Sequence, residues 1–153
     1  MQKEKIKIMF ICHGNICRSP MAEFVMKELV RQAGREEDFV IASSATSREE
    51  LGNPVYPPAQ RVLKAHNIPF ERREARRFTA GEYEEWDLLI CMDKNNLRNL
   101  SVITPDPDGK VRLLLDYAGR KGAEVADPWW TGNFDETWQD VLDGCRGLLD
   151  ALS

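Results

Sequence analysis

Residues 6–20 read IKIMFICHGNICRSP, and this stretch decides the fold. Positions 6–12 are apolar and β-branched with little alternation, the pattern of a strand buried on both faces. Ser19 and Pro20 read as an N-cap followed by proline at the first helical position. Met21, Phe24, Val25, Met26, Leu29 and Val30 then form an apolar stripe at helical spacing, expected to fade near Gly34. The segment from Cys12 to Ser19 is therefore the turn between a first strand and a first helix. In open parallel sheets that turn is the usual place for a ligand.

Further along, 39–43 reads as a short second strand. The segment 44–58, with Gly52, Asn53 and three prolines, reads as a long loop at the sheet edge, where substrate access is shaped. A helix is expected over 58–66 with Val62 and Leu63 inward, and Thr79 with Glu82 marks a capping-box start for another short helix. Residues 88–92 form a buried strand, Asp93 caps a helix through Leu97 and Leu100, and 111–115 is a fourth strand after the turn at 105–109. Phe134, Trp138, Val141, Leu142, Cys145, Leu148, Leu149 and Leu152 recur at steps of three and four, one core face of a last helix. Strands alternating with helices imply right-handed crossovers, parallel strands and helices on both sheet faces.

The 153 residues suit one domain, 1–153, and the net charge of −4 argues against a general nucleic-acid or membrane-surface binder. Lys3, Lys5 and Lys7 lead into an apolar run too short for a signal peptide, and nothing reaches the length of a membrane span, so a cytoplasmic address is expected. In that reducing setting Cys12, Cys17, Cys91 and Cys145 are expected as free thiols. His13 and His66 do not complete a zinc pattern, so neither metal nor cofactor is expected.

The chemistry gathers in the turn. Gly14 and Asn15 are residue types that tolerate positive φ, which lets successive amides of His13, Gly14, Asn15, Ile16 and Cys17 curl around one point as an anion nest. The first-helix N-terminus adds its free amides and positive dipole end, and Arg18 adds a planar fork for two phosphate oxygens. Cys12 at the base of the nest would feel the same field, which favours a thiolate nucleophile. The Ser19 hydroxyl would donate to its sulfur. Cys17 has two readings, a nest residue or a partner that forms a protective disulfide with Cys12 on oxidation.

A displaced phenolate needs an acid. Two Asp-Pro pairs offer one. Asp106 lies in a Pro-Asp-Gly surface turn, whereas Asp127 leads into Trp129 and Trp130, which would wall a pocket for an aromatic ring, so Asp127 is the candidate. Arg72, Arg73, Arg76 and Arg77 read as a solvated basic face without a catalytic role.

With these residues in hand, the chain resembles the low-molecular-weight protein tyrosine phosphatases. The resemblance runs through the loop from Cys12 to Ser19 with Pro20, Met21, Ala22 and Glu23, then Cys91-Met92-Asp93, then Asp127-Pro128 before the last helix. It implies a three-layer α/β domain with a four-stranded parallel sheet in the order 2-1-3-4. It also implies metal-independent hydrolysis of a phosphotyrosine protein or peptide through a cysteinyl-phosphate, with inorganic phosphate as product and a monomer as the working unit. Cys12 is then nucleophile, Arg18 holds the transition-state oxygens, and Asp127 is acid and then base. Asn15 and Ser43 match residues that brace the loop in the family. The chain departs from the family at Arg73, where a histidine is common, at Trp129 and Trp130, where tyrosines are common, and at Glu49, on the pocket rim where mammalian forms have tryptophan.

Three rival readings remain. An arsenate reductase of this fold needs further relay cysteines, and Cys91 stands alone in its strand. Protein-arginine phosphatases resemble the family and carry threonine where this chain has Ile16, whose apolar side chain suits an aryl ester. A phosphate-binding module without turnover would have no use for the acid.

Overall fold

The computed structural model describes residues 4–153; the start of the chain, including Lys3, lies outside them. Four strands, β1 (Ile6–Cys12), β2 (Phe39–Ala45), β3 (Leu88–Cys91) and β4 (Val111–Leu113), form one parallel sheet in the order β2-β1-β3-β4. Among the described residues five α-helices surround it: α1 (Arg18–Gln32), α2 (Pro57–Ala65), α3 (Lys94–Ile103), α4 (Pro128–Thr131) and α5 (Phe134–Ala151).

Pleating sends alternate residues to two cores. Ile8, Phe10 and Cys12 join Ile90, Met92 and the apolar stripes of α1, α2 and α5 on one face, while Met9 and Ile11 join Leu89, Cys91, Phe78, Tyr83 and Leu100 on the other. The three layers expected from the strand and helix alternation result from this split. β1 is central, so its C-terminal end, where Cys12 pairs with Ala45, is held from both sides.

Three expectations shift. Ser19 is not the N-cap of α1: Cys17 holds that position and Ser19 lies within the first turn, freeing its hydroxyl for Cys12. Pro20 is still tolerated there because first-turn amides have no helical partner. β2 runs two residues beyond 43, since pairing with Ile11 and Cys12 overrides the weak strand preference of Ser44 and Ala45. The fourth strand stops at Leu113, and Leu114–Ala118 becomes a 3-10 turn that lies on α5. Gly144 and Gly147 permit that approach, because a Cβ on Gly147 would come within 1.8 Å of the Tyr117 carbonyl oxygen.

The end of α1 behaves as read. Gly34 takes φ +71°, the Gly34 amide bonds the Arg31 carbonyl at 3.0 Å, and the Arg35 amide bonds Val30 at 2.8 Å, a Schellman closure.

Candidate active site

The turn after β1 is shaped by where its carbonyls go. Those of Cys12 and His13 accept from the amides of Thr46 and Ser47, each at 3.0 Å, and that of Ile16 accepts from the Tyr56 amide at 2.8 Å. The Asn15 carbonyl accepts from the Arg73 guanidinium. A planar trans peptide sets each carbonyl opposite the next residue's amide. Outward carbonyls at 12, 13, 15 and 16 therefore turn the amides of His13, Gly14, Ile16 and Cys17 inward. The remaining amide of the turn, that of Asn15, points at Cys12 Sγ from 3.3 Å.

Asn15 is the residue that makes the curl possible, with φ +60°. Gly14 is not at positive φ. Its missing side chain matters instead because a Cβ there would sit 3.2 Å from Glu50 Cγ. The left-handed backbone costs an L-residue about 1–2 kcal/mol, less for asparagine. Against that stand several polar contacts, each worth about 0.5–1.5 kcal/mol net, so the contacts win. Asn15 Nδ2 donates to Ser19 Oγ at 2.8 Å and to Ser43 Oγ at 2.9 Å, and Oδ1 accepts from the Arg76 amide at 3.2 Å. The Ser43 hydroxyl donates to Glu23 Oε1 at 2.6 Å, and Lys27 holds the other Glu23 oxygen at 2.6 Å. Ser19 Oγ already accepts from Asn15. Its proton is thereby free for Cys12 Sγ, 3.0 Å away, with the Ser44 carbonyl a longer alternative at 3.4 Å.

Arg18 is the first residue of α1 and is almost wholly buried. Its Nη1 donates to Asp93 Oδ2 at 2.7 Å and to the Val125 carbonyl at 3.1 Å, and Nη2 reaches Asp127 Oδ2 at 3.4 Å. Burial opposes its charge, but Cys12, Asp93 and Asp127 outweigh that and raise its pKa above the ordinary value. Asp93 divides its carboxylate, with Oδ1 capping α3 at the Asn96 amide and Oδ2 on Arg18. Reading along the chain assigns Asp93 its cap and misses its grip on Arg18. The signal is its place just beyond the carboxyl end of β3, where ligands gather in such sheets.

Asp127 caps α4 through the Trp129 amide at 3.1 Å. Cys12, His13, Gly14, Ile16, Cys17, Arg18, Glu49, Glu50, Asp127, Trp129 and Trp130 line one pocket of about 400 Å³. Nearly every predicted site residue is thus brought together, with Asn15, Ser19 and Ser43 beneath the floor. Trp129 and Trp130 are 53% and 82% exposed, so they are wall and rim rather than core. Glu49 stands on the rim with Oε2 2.9 Å from His13 Nε2, and Glu50, which the sequence reading missed, stands beside it. Burial first, then the neighbouring Cys12, pushes the Cys17 thiol well above its ordinary range. A wider hollow of about 490 Å³ between α1, β2 and residues 69–71 contains neither cysteine nor histidine.

The basic run is only in part a solvated face: Arg72 and Arg76 are exposed, whereas Arg73 and Arg77 turn to main-chain carbonyls. Arg73 is half-buried and joins the Asn15 carbonyl to that of Asn53 at 3.3 Å. Arg76 pairs with Glu82 at 2.8 Å, and Arg77 donates to the Thr46 carbonyl at 3.3 Å. Arg73 thus straps the turn to the 46–56 loop, and Arg77 holds that loop at Thr46, which charge counting along the sequence cannot reveal.

The family model of the low molecular weight phosphotyrosine protein phosphatases matches residues 7–153. The chain belongs to that family. A low molecular weight protein-tyrosine-phosphatase, PtpA, of Staphylococcus aureus is 34% identical over 147 residues, covering 96% of this chain and 94% of that one. The solved low molecular weight protein tyrosine phosphatase of Streptococcus pyogenes superposes with a TM-score of 0.83 at 39% identity, covering 97% and 93%. A Drosophila arginine phosphatase superposes at 0.87 with 29% identity, covering 97% and 98%.

Proposed function

We propose that this low molecular weight phosphatase hydrolyses phosphotyrosine in proteins or peptides, with Cys12 as nucleophile, Arg18 as oxyanion clamp and Asp127 as acid and base. The observation that carries this reading is that the Asn15 amide and the Ser19 hydroxyl meet the Cys12 sulfur at 3.3 and 3.0 Å in the pocket that Arg18 and Asp127 also line. In the first step Sγ attacks phosphorus, the S–P bond forms, the P–O bond to the tyrosyl oxygen breaks, and Asp127 protonates that oxygen. In the second, a water attacks the cysteinyl-phosphate, Asp127 takes its proton, the S–P bond breaks and inorganic phosphate leaves. The inward amides and Arg18 hold the equatorial oxygens throughout, already aimed before charge develops. Ser19 donates to sulfur as it departs.

The four cysteines are free thiols, which fits a reducing, cytoplasmic setting. Cys91 packs in the core on the opposite sheet face from Cys12, a poor place for a relay thiol of an arsenate reductase. The Drosophila relative keeps one second reading open, release of phosphate from phosphoarginine. Ile16 on the pocket wall favours the aryl ester, and faster release from phosphoarginine than from phosphotyrosine peptides would reverse the choice.

Turnover of p-nitrophenyl phosphate at about pH 5–7, with a chelator present, tests the mechanism. Cys12→Ser is expected to be inactive while still binding phosphate, and chelation is expected to leave the wild type unchanged. Substantial turnover by Cys12→Ser would end the assignment.

A further inference from the structure

The acid stands on a slender support. α4 has four residues, too few to be stable through its own backbone bonds, and both of its tryptophans are largely exposed. Asp127 Oδ2 meets Arg18 at 3.4 Å, at the long limit of a hydrogen bond. Behind the acid, the Thr137 hydroxyl holds the Ala126 carbonyl at 2.9 Å. On the side facing the nest, the support comes from Tyr56.

Tyr56 is tied to the nest by its main chain and to α4 by its ring. Its amide donates to the Ile16 carbonyl at 2.8 Å. Its ring lies 5.2 Å from that of Trp129, tilted by 55°, and 6.2 Å from that of Phe134, at 25°. Trp129 is two residues past Asp127, and Phe134 opens α5, so the ring spans both ends of the arc that carries the acid. The backbone presenting the ring is stiff. Tyr56 precedes Pro57 and Pro58 and takes φ −57°, ψ 132°, the extended conformation a following proline imposes. Tyr56 stands behind the pocket wall, against Trp129, and is not one of the residues lining the pocket.

We infer that Tyr56 is a positioning residue for proton delivery: through Trp129 it fixes the distance between Asp127 and the oxygen of the leaving phenol. This rests on the reading of Asp127 as the acid. Proton transfer requires heavy-atom approach within about 2.6–3.2 Å, and a displacement of about 1 Å can cost about a hundredfold. A stiff link from the phosphate cradle to the acid is therefore worth more than another contact with the substrate.

The test is kcat/KM over a series of aryl phosphates, from p-nitrophenyl phosphate, whose leaving group needs little protonation, to a phosphotyrosine peptide. Tyr56→Leu is expected to lose about tenfold on the peptide and less than about threefold on p-nitrophenyl phosphate, giving a steeper dependence on the leaving group. Tyr56→Phe keeps the ring and is expected to match the wild type. Inhibition by inorganic phosphate should be unchanged in both, because the nest is intact. Trp129→Leu removes the same contact from the other side, must steepen the same dependence, and must leave Tyr56→Leu little further to remove in the double variant. Should Tyr56→Leu fail to fold, the Trp129→Leu slope decides alone. Equal losses on all substrates, or wild-type slopes in both variants, would overturn the inference. If Asp127→Ala itself leaves the slope unchanged, the fault lies with the acid assignment and not with Tyr56.

Discussion

The chain contains two Asp-Pro pairs, and the fold gives them opposite surroundings. Asp106 is saturated with donors: Oδ1 accepts from the Tyr83 hydroxyl at 2.6 Å and the Lys110 amide at 2.7 Å, and Oδ2 from the Val111 amide at 3.1 Å. Asp127 has one amide on Oδ1 at 3.1 Å and a long contact with Arg18 on Oδ2. A carboxylate committed to several donors is a clamp, because protonating it sacrifices bonds that hold the fold. A carboxyl with spare acceptor capacity at a pocket wall can take up a proton and hand it on. The dipeptide is the same in both places, and its C-terminal neighbours decide between the roles. After Asp106 a glycine turn folds the chain back onto the carboxylate, whereas after Asp127 two tryptophans open the wall of a cleft.

The largest effect expected from this contrast is on turnover. Asp127→Ala should lower kcat/KM on a phosphotyrosine peptide by about 10²–10⁴, the usual contribution of a placed acid. Asp106→Ala should leave the activity of each folded molecule unchanged. Comparable losses in the two variants, measured on material with matched folded fractions, would break the distinction.

The reverse contrast is on stability. Hydrogen bonds to a charged group contribute about 1.5–3 kcal/mol when buried, but Asp106 is exposed, and solvent screening reduces its share to about 1 kcal/mol. In a chain of this length that lowers Tm by about 2–4 °C. Thermal melts of Asp106→Ala should show this shift. A Tm equal to that of the wild type would mean that the turn holds without its clamp.

How much of this is legible in the sequence depends on whether a residue's role is set along the chain or across it. The turn after β1 can be read because Cys12, the residues that curl the chain and the helix N-terminus are neighbours in sequence, and the proposal of Asp127 over Asp106 as acid rests on immediate context. Helical spacing likewise placed the core face of α5. The partners that complete the site come from far away. Asp93 meets Arg18 across 75 positions, Arg73 meets Asn15 across 58, and nothing local marks either pairing. Arg73 was hidden further by its company, since four arginines in six positions resemble a solvated surface until one is seen holding a carbonyl beneath the nest. The extra residues of β2 and the short β4 escape local reading for a related reason: pairing with Cys12 and the close approach to Gly144 and Gly147 override local preference.

The finest test of the Asp106 clamp is its dependence on pH. Burial pushes the Asp106 carboxyl up, but the Tyr83 hydroxyl and the Lys110 and Val111 amides outweigh burial and hold its pKa below the ordinary value. A group depressed in this way binds fewer protons folded than unfolded. It therefore adds stability above the unfolded value of about 3.9 and loses it as pH falls through the folded one. The difference in unfolding free energy between the wild type and Asp106→Asn should be constant above about pH 5 and should shrink by a fraction of its roughly 1 kcal/mol as the carboxyl is protonated. The Glu82 carboxylate is also held low, with burial outweighed by Arg76 and Thr79, but it is present in both proteins and cancels in the difference. Denaturant titrations at a series of pH values read the gap directly. A gap that stays constant into acid would show that Asp106 acts through the shape of its turn and not through its charge, and the opposition between clamp and proton carrier would then rest on Asp127 alone.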